Sequence, residues 1–271
     1  MEMKKKKKTK KSVKPVVKPF MKGTAVDGGT IKSVALFFGS LLLVMLANLL
    51  LSAVLVWDNL ILRLLFNGIL VLAIGLLYLQ SGASKGTAAV NQGEIMLQRQ
   101  EAGREVNAED RRSCYHPLKG YIIGLIGSVP YVICCLLLAA TAHRVVSGIG
   151  ALPSWLSSLQ RREEIGGALA FYSQTTSLQL EDMMRVVVRM CIMPFVNMVG
   201  ATNADGLLTL ERLSALPMLL PALFYGIGYQ QGVRVRTQVH TDIATGKRKR
   251  ARKAKKQQRA RAAAKGPEQL N

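Results

Sequence analysis

The sequence is poor in acidic residues and in the groups from which enzymatic or metal sites are built. Sixteen Asp and Glu stand against thirty-seven Lys and Arg, with only three His and four Cys. The cysteines match neither a zinc spacing nor the disulfide framework of small secreted domains. Cys114 and His116 lie two positions apart, but no nearby His or acid completes a ligand set. Because phosphate-loop and GxSxG motifs are also absent, we predict no enzymatic activity, no metal and no cofactor.

Long stretches without charge are present instead. Residues 33–57 form an uncharged run of 25 residues, and residues 64–84 form another of 21. Two further uncharged runs cover 121–142 and 213–233. Since a helix of about 20 residues crosses the hydrocarbon core of about 30 Å, the sequence predicts an all-α, polytopic integral membrane protein with about four transmembrane helices. These are a helical hairpin at 33–84, a third helix at 120–142 and a fourth at 213–233.

The net charge of +21 is concentrated at the two ends of the chain. Residues 1–32 hold eleven Lys and two acids, and residues 231–271 hold thirteen Lys or Arg and two acids. Such blocks of like charge repel each other and have nothing apolar to bury, so we expect disordered basic tails at 1–32 and 234–271. The densest polybasic positions are Lys4, Lys5, Lys6, Lys7, Lys8, Lys247, Arg248, Lys249 and Arg250.

Charge also predicts the orientation. Basic residues flanking membrane spans remain on the cytoplasmic side, so both tails are expected in the cytoplasm of an integral cell-membrane protein, and the number of spans should be even. The first apolar run is too long for a cleavable signal peptide. Residues 85–119 then become a cytoplasmic loop with a short amphipathic helix, for which Asn91 and Glu94 resemble a capping box. Residues 143–212 become an outer loop.

The segment 183–200 is apolar but interrupted by charge and proline. Counting it as a full span would move the basic C-terminal tail outside, so we interpret it as an interfacial or re-entrant segment of the outer loop. An arrangement of six spans that uses part of 163–203 is the alternative. Ionisable residues at membrane depth suggest function, and Arg185 and Arg189 are candidates for contact with an anion or a lipid headgroup. Arg63, one turn into the second span, is a third candidate.

Small residues recur at every fourth position in two of the predicted spans. This spacing lets helices approach closely, and it therefore predicts helix-packing faces that bind a membrane-protein partner or a second copy of the chain. The positions are Gly120, Gly124, Ser128, Ala222, Gly226, Gly228 and Gly232.

These features favour a non-enzymatic, structural or accessory protein of the lipid bilayer, whose basic tails contact anionic lipids. Two alternatives remain open. One is a membrane component of a transporter, in which Arg185 and Arg189 contact an anion in a discontinuous path. The other is a protein whose tails contact ribosomal or other RNA, although the near absence of aromatic residues from the tails does not favour base stacking.

Overall fold

The computed structural model describes residues 15–52, 57, 59–143, 180–200 and 203–264. Within these ranges the chain is helical, which confirms the predicted all-α class, and the nearest approach to a strand there is an isolated bridge between Lys22 and Tyr115. The helices are α1 (Gly28–Ser52), α2 (Leu60–Glu101), α3 (Ala108–Ser113), α4 (Lys119–Thr141), α5 (Leu180–Cys191), α6 (Met193–Val199), α7 (Ala204–Arg212) and α8 (Ala215–Ala264).

Three helices, α1, α2 and α4, are each long and apolar enough to cross a membrane. Within the described residues a fourth crossing is obtained only if α7 and α8, which are bent by 52° at their junction, form one span. The predicted number of four transmembrane helices therefore agrees only loosely with the structure. The fourth apolar run does not begin a helix of its own at residue 213, because Leu213 and Ser214 lie in the turn between α7 and α8.

Local chemistry explains where several helices begin and end. The side-chain oxygen of Asn59 accepts a hydrogen bond of 2.9 Å from the backbone N–H of Ile61 at the start of α2, which is an N-cap. Gly103, with φ of 73°, follows the end of α2, and Gly200, with φ of 94°, ends α6. Glycine adopts this left-handed backbone without a steric penalty. Pro194 occupies the first turn of α6, where its missing N–H costs nothing.

Two expectations about helix boundaries were wrong. Asn91 and Glu94 do not cap a new helix in the 85–119 loop, because α2 continues without a break from Leu60 to Glu101. The C-terminal segment expected to be disordered from residue 234 continues α8 as far as Ala264. The disordered N-terminal tail predicted at 1–32 fits only loosely, since residues 15–27 are irregular apart from the bridge at Lys22 but α1 already begins at Gly28. Residues 1–14 and 265–271 lie outside the described ranges.

The chain divides into two compact units. The span unit consists of Gly29–Gln80 and Tyr121–Gly226, and the tail unit consists of Met1–Gly28, Ser81–Gly120 and Ile227–Asn271. The core of the span unit is built around Phe37, whose ring lies 5.4 Å from that of Tyr78 and 5.1 Å from that of Tyr225. Large apolar side chains on its helices remain exposed, among them Leu43 and Leu72, as on a surface surrounded by lipid.

Candidate functional site

The two basic segments of the chain contact each other within the tail unit, at Val16 and Thr241. The backbone N–H of Val16 donates a hydrogen bond of 2.9 Å to the hydroxyl of Thr241 on α8. Five residues later the N–H of Met21 donates to the carbonyl of Gly93 on α2, at 3.1 Å. The segment 15–24 is therefore held by backbone hydrogen bonds to its neighbours. The N-terminal and C-terminal basic segments therefore both extend from the contact between Val16 and Thr241.

Glycines make this close approach possible. A Cβ atom on Gly93 would lie 2.6 Å from the carbonyl oxygen of Met21, and a Cβ atom on Gly23 would meet the carbonyl oxygen of Cys114. A Cβ atom on Gly86 would overlap the carbonyl oxygen of Tyr229 on α8. The backbones of α2 and α8 thus touch within the tail unit. Such contacts leave no room for a side chain.

An aromatic cluster fills the space beside these contacts. The rings of Tyr115 and Tyr229 stack with centroids 5.4 Å apart, and Phe20 meets Tyr115 edge-on at 5.8 Å. Val90 is buried among them. Burial raises the pKa of the Tyr115 phenol, and it likewise raises the pKa of the neighbouring Cys114 thiol, in spite of the Lys119 charge. A cysteine kept protonated in this way is a poor nucleophile.

A buried ion cluster joins α2 to α8 in the tail unit. Glu94 accepts hydrogen bonds of 2.8 and 3.1 Å from Arg236 through one oxygen, and its other oxygen lies 2.7 Å from Nε2 of His240. Asn91 accepts a further bond from Arg236 at 2.6 Å. Burial by itself would raise the pKa of Glu94, but the hydrogen bonds and charges of Arg236 and His240 outweigh it and lower that pKa. Glu94 lies ten residues, about three turns, beyond the uncharged run of α2 that ends at residue 84.

A second buried ion pair of the tail unit lies at the beginnings of α1 and α4. The ammonium of Lys119 lies 3.0 Å from the carboxylate of Asp27, and both side chains are less than a tenth exposed. Removing two charges from water is costly unless each finds a partner. The pair therefore fixes the end of the N-terminal segment to the first turn of α4.

The polybasic positions of the C-terminal tail follow these contacts along α8. Arg250 is exposed, as is Lys253. Lys247, Arg248 and Lys249 belong to the same helix, but their side chains lie outside what the structure describes. The polybasic positions Lys4 to Lys8 also lie outside the described residues.

In the span unit, Arg185 and Arg189 are paired with acids. The carboxylate of Glu211 on α7 lies 3.2 Å from Nε of Arg185 and 2.6 Å from a guanidinium nitrogen of Arg189. Arg185 also meets Glu181 at 2.8 Å and Asp182 at 3.5 Å. Contact of these arginines with an anion or a lipid headgroup stays a prediction; in this geometry both charges are already paired with acids. Arg185 directs three of its five N–H donors at these acids.

Arg63 lies at the start of α2 against the end of α6. Its guanidinium donates a hydrogen bond of 3.4 Å to the carbonyl of Val199 and crowds the Cα of Gly200. Its Nε is buried without a hydrogen-bond partner. The side chain therefore contacts protein in the span unit, and it is only partly exposed.

The small-residue positions are covered within the chain. In the span unit a Cβ atom on Gly124 would lie 2.9 Å from the Cα of Ala222, and one on Gly226 would overlap the ring of Tyr121. Ser128 is fully buried and donates to the carbonyl of Gly124 at 2.9 Å. In the tail unit Gly120 and Gly228 are buried, and Gly232 approaches the backbone of α2 at Gly86. These residues pack helices of the same chain.

An apolar cleft lies in the span unit. Its cavity volume is about 60 Å³, and it is partly open at its mouth. Its walls come from α1, α2, α5, α6 and α8, and Asn48 is its most polar wall residue. None of the described residues that line it is charged. Its lining residues include Met45, Ile74, Cys191, Phe195, Met218 and Phe224.

The described residues contain no group of three or more His, Cys, Asp or Glu that could hold a metal ion. Nδ1 of His116 accepts a hydrogen bond of 3.3 Å from the backbone N–H of Leu118, as expected of a turn. Comparison of the chain with protein-family models, with curated proteins and with solved structures finds no match. Functional inference therefore depends on the geometry above.

Sequence reasoning missed the acids that organise both clusters. Glu211 stands beside Arg212 at the end of the mostly apolar stretch Leu207 to Leu210, and the adjacent opposite charge gives no sign that a more distant arginine is its partner. The sequence gives no sign that Glu94 and His240 are partners, because it predicts a loop around Glu94 and a disordered tail around His240. Only the pairing of α2 with α8 reveals them.

Proposed function

We propose that this protein is a non-enzymatic, structural or accessory component of the cell membrane, and that its two basic segments together hold anionic lipid at the cytoplasmic face. The hydrogen bond between Val16 and Thr241 carries the proposal. Because the two segments start from one contact, their charges act at one patch of membrane surface. Two separate tails would each have to find anionic lipid independently.

The composition of the C-terminal segment supports contact with lipid phosphates. Residues 234–264 contain twelve Lys or Arg against a single Asp, and α8 continues through them. A basic residue next to an anionic leaflet contributes about 1 kcal/mol. No aromatic residue occurs between 247 and 264, so the stacking that strengthens contact with single-stranded RNA is lacking.

The ion cluster at Glu94 supplies the second support. Arg236 and His240 tie α8 to α2 immediately before the densest basic run. Charges that follow a fixed point lose less conformational freedom on meeting the membrane than charges on a free chain. The excess of basic residues on this side also favours a cytoplasmic orientation.

The test uses the full chain reconstituted in vesicles with or without phosphatidylglycerol. A fluorophore on Gln257→Cys, in a background in which the four native cysteines are replaced, reports energy transfer to an acceptor on lipid headgroups. We expect strong transfer only in anionic vesicles, and we expect it to fall as salt rises. Replacing Lys247, Arg248, Lys249 and Arg250 by Gln should weaken it, whereas the neutral control, Ala260, Ala262, Ala263 and Ala264 replaced by Gln, should not.

Equal transfer in neutral and anionic vesicles would overturn the proposal. Adding RNA to the anionic vesicles tests the alternative partner. Loss of transfer at an RNA concentration that leaves the Gln variant unaffected would favour RNA contact instead. If RNA has no effect, the lipid remains the partner.

A transport role is the second candidate, and the apolar cleft beside the bend between α7 and α8 favours it. Discontinuous helices are typical of transporter binding sites. Compensation of Arg185 and Arg189 by Glu211 weakens the form of this idea in which those arginines hold an anion. Uptake of a solute by vesicles containing the protein, and not by empty vesicles, would establish it.

A further inference from the structure

The helix α5 has its polarity reversed relative to a helix on the surface of a water-soluble protein. Its apolar residues Leu180, Met183 and Val186 are 74%, 59% and 48% exposed, whereas Arg185 is only 6% exposed. In water the apolar stripe of an amphipathic helix faces the core. A helix that hides its charges and displays its apolar side chains is suited to surroundings of hydrocarbon.

Both ends of the segment Leu180–Val199 lie at the same side of the bilayer. When α1, α2 and α4 each cross in turn, the end of α4 and the start of α2 share a side. At the first end, Nδ1 of His143, which follows α4, is 3.0 Å from the carboxylate of Glu181. At the other end, Arg63, one turn into α2, bonds to the carbonyl of Val199.

The middle of the segment lies deep. The sulfur of Cys191 is 3.6 Å from that of Met45, within the apolar run of α1. Ile192 lines the cleft together with Val71 and Ile74 of α2. At 1.5 Å per residue these two positions are about 12–16 Å along α2 from Arg63. Half of the hydrocarbon core is about 15 Å, so the break between α5 and α6 stands near the bilayer midplane.

We propose that Leu180–Val199 is a re-entrant element that enters the bilayer through α5, turns at Ile192 and returns through α6, with the outward face of α5 against lipid acyl chains. The lengths fit, because twelve residues of α5 extend about 18 Å and seven of α6 about 10 Å. The pairing of Arg185 and Arg189 with Glu211 makes insertion possible. Unpaired, these charges would oppose it.

The first measurement tests contact with acyl chains. Bimane is attached at Met183→Cys, or at Val187→Cys as a second position, in the full chain without its native cysteines. The protein is reconstituted in phosphatidylcholine with or without bromine atoms at mid-chain. We expect quenching by brominated lipid at both positions, stronger at the deeper Val187→Cys than at Met183→Cys and strongest at Leu72→Cys on α2, which is 64% exposed in the span unit, together with weak quenching by aqueous iodide.

Glu109→Cys on the exposed surface of α3 serves as the aqueous control. Quenching of the α5 positions by iodide to the level of Glu109→Cys, without quenching by brominated lipid, would overturn the proposal and place α5 at the interface. Monodisperse elution of each labelled variant establishes that it is folded. If Met183→Cys fails this test, Val187→Cys gives the decision.

The second measurement distinguishes a re-entrant element from a full crossing. Leu180→Cys and Ala204→Cys are treated with a membrane-impermeant maleimide in vesicles of uniform orientation. The re-entrant path predicts modification of both positions from the same side. Modification from opposite sides would show that the segment crosses and would refute the proposal.

Discussion

The two units use buried ion clusters in different surroundings. In the tail unit, Glu94 meets Arg236 and His240 where one partner is still 22% exposed. In the span unit, Glu211 is 3% exposed and compensates two arginines, one of them almost fully buried. The same chemistry therefore ties helices together near water in one unit and compensates buried arginine charge in the other. The interaction energy between two charges rises as the local dielectric constant falls, so the loss of one partner costs more at a buried site.

The sharpest test of this difference is Glu211→Gln. Arg189 then loses its acid, and Arg185 retains only Glu181 and Asp182. Leaving a buried charge without its partner costs about 3–5 kcal/mol, and we expect the free energy of unfolding in detergent to fall by that amount. Glu109→Gln on exposed α3 is the control. Equal stability of the two variants would show that Glu211 is not buried with its partners.

A compensated variant sharpens the same comparison. Replacing Arg189 and Glu211 together by Leu removes both charges, while Arg185 keeps two acids. Apolar replacement of a buried pair is often neutral or stabilising. This double variant should therefore be more stable than Glu211→Gln alone in the same assay.

Glu94→Gln should have a smaller effect, about 1–3 kcal/mol, because the partner Arg236 retains contact with water. The pKa of Glu94 is lowered from its ordinary value of 4.5. Its charged form therefore stabilises the fold above pH 4.5, and that contribution is lost as the pH falls through the lowered value. Wild-type stability should decline over this acid range, and Glu94→Gln should remove part of the decline. Identical pH profiles would contradict the prediction.

Glycine substitutions compare backbone packing in the two units. Gly86→Ala, in the tail unit, would place a Cβ atom on the carbonyl oxygen of Tyr229, and neither backbone can move cheaply. We expect a loss of about 1–3 kcal/mol. Gly226→Ala, in the span unit, meets the ring of Tyr121, which can rotate, so its loss should be smaller.

The control for these substitutions is Gly39→Ala on α1, since a Cβ atom there meets nothing within 4 Å. Alanine favours a helix over glycine by about 1 kcal/mol, so this variant should unfold at the same temperature or a higher one. A loss of stability at Gly39 as large as at Gly86 would show that close packing is not the cause.

The smallest effect is expected for Asp182→Asn. Its side chain is 46% exposed and its carboxylate is 3.5 Å from Arg185. Exposed ion pairs contribute less than about 1 kcal/mol. The melting temperature should hardly change, in contrast with Glu211→Gln, and a large drop would show that all three acids share the charge of Arg185 equally.

Much of the fold could be predicted because membrane spans leave a direct signal in composition. The apolar runs of α1, α2 and α4 are readable from their length alone. The boundary errors have one cause. Residues 85–101 are too polar to be recognised as the continuation of an apolar span, and residues 234–264 are too strongly basic to be recognised as the continuation of another. In the structure both continue a preceding helix, which removes the cost of starting a new one.

The candidate sites were harder to predict. Arg185 and Arg189 were recognisable as unusual because they interrupt an apolar segment. Their partner Glu211 is more than twenty positions away, and separation along the chain gives no sign of the contact. The same holds for Glu94 and His240, which are separated by 146 positions.

The sequence by itself determined the class of the molecule, because uncharged runs of about 20 residues have no other stable use than crossing or burial, and it determined that positive charge gathers at both ends. Only the tertiary structure decided which charges are free. It pairs Arg185 and Arg189 with Glu211. It also brings the two basic segments into contact at Val16 and Thr241. The physical reason is that a charge acts through what lies within a few ångströms of it, and folding alone sets those distances.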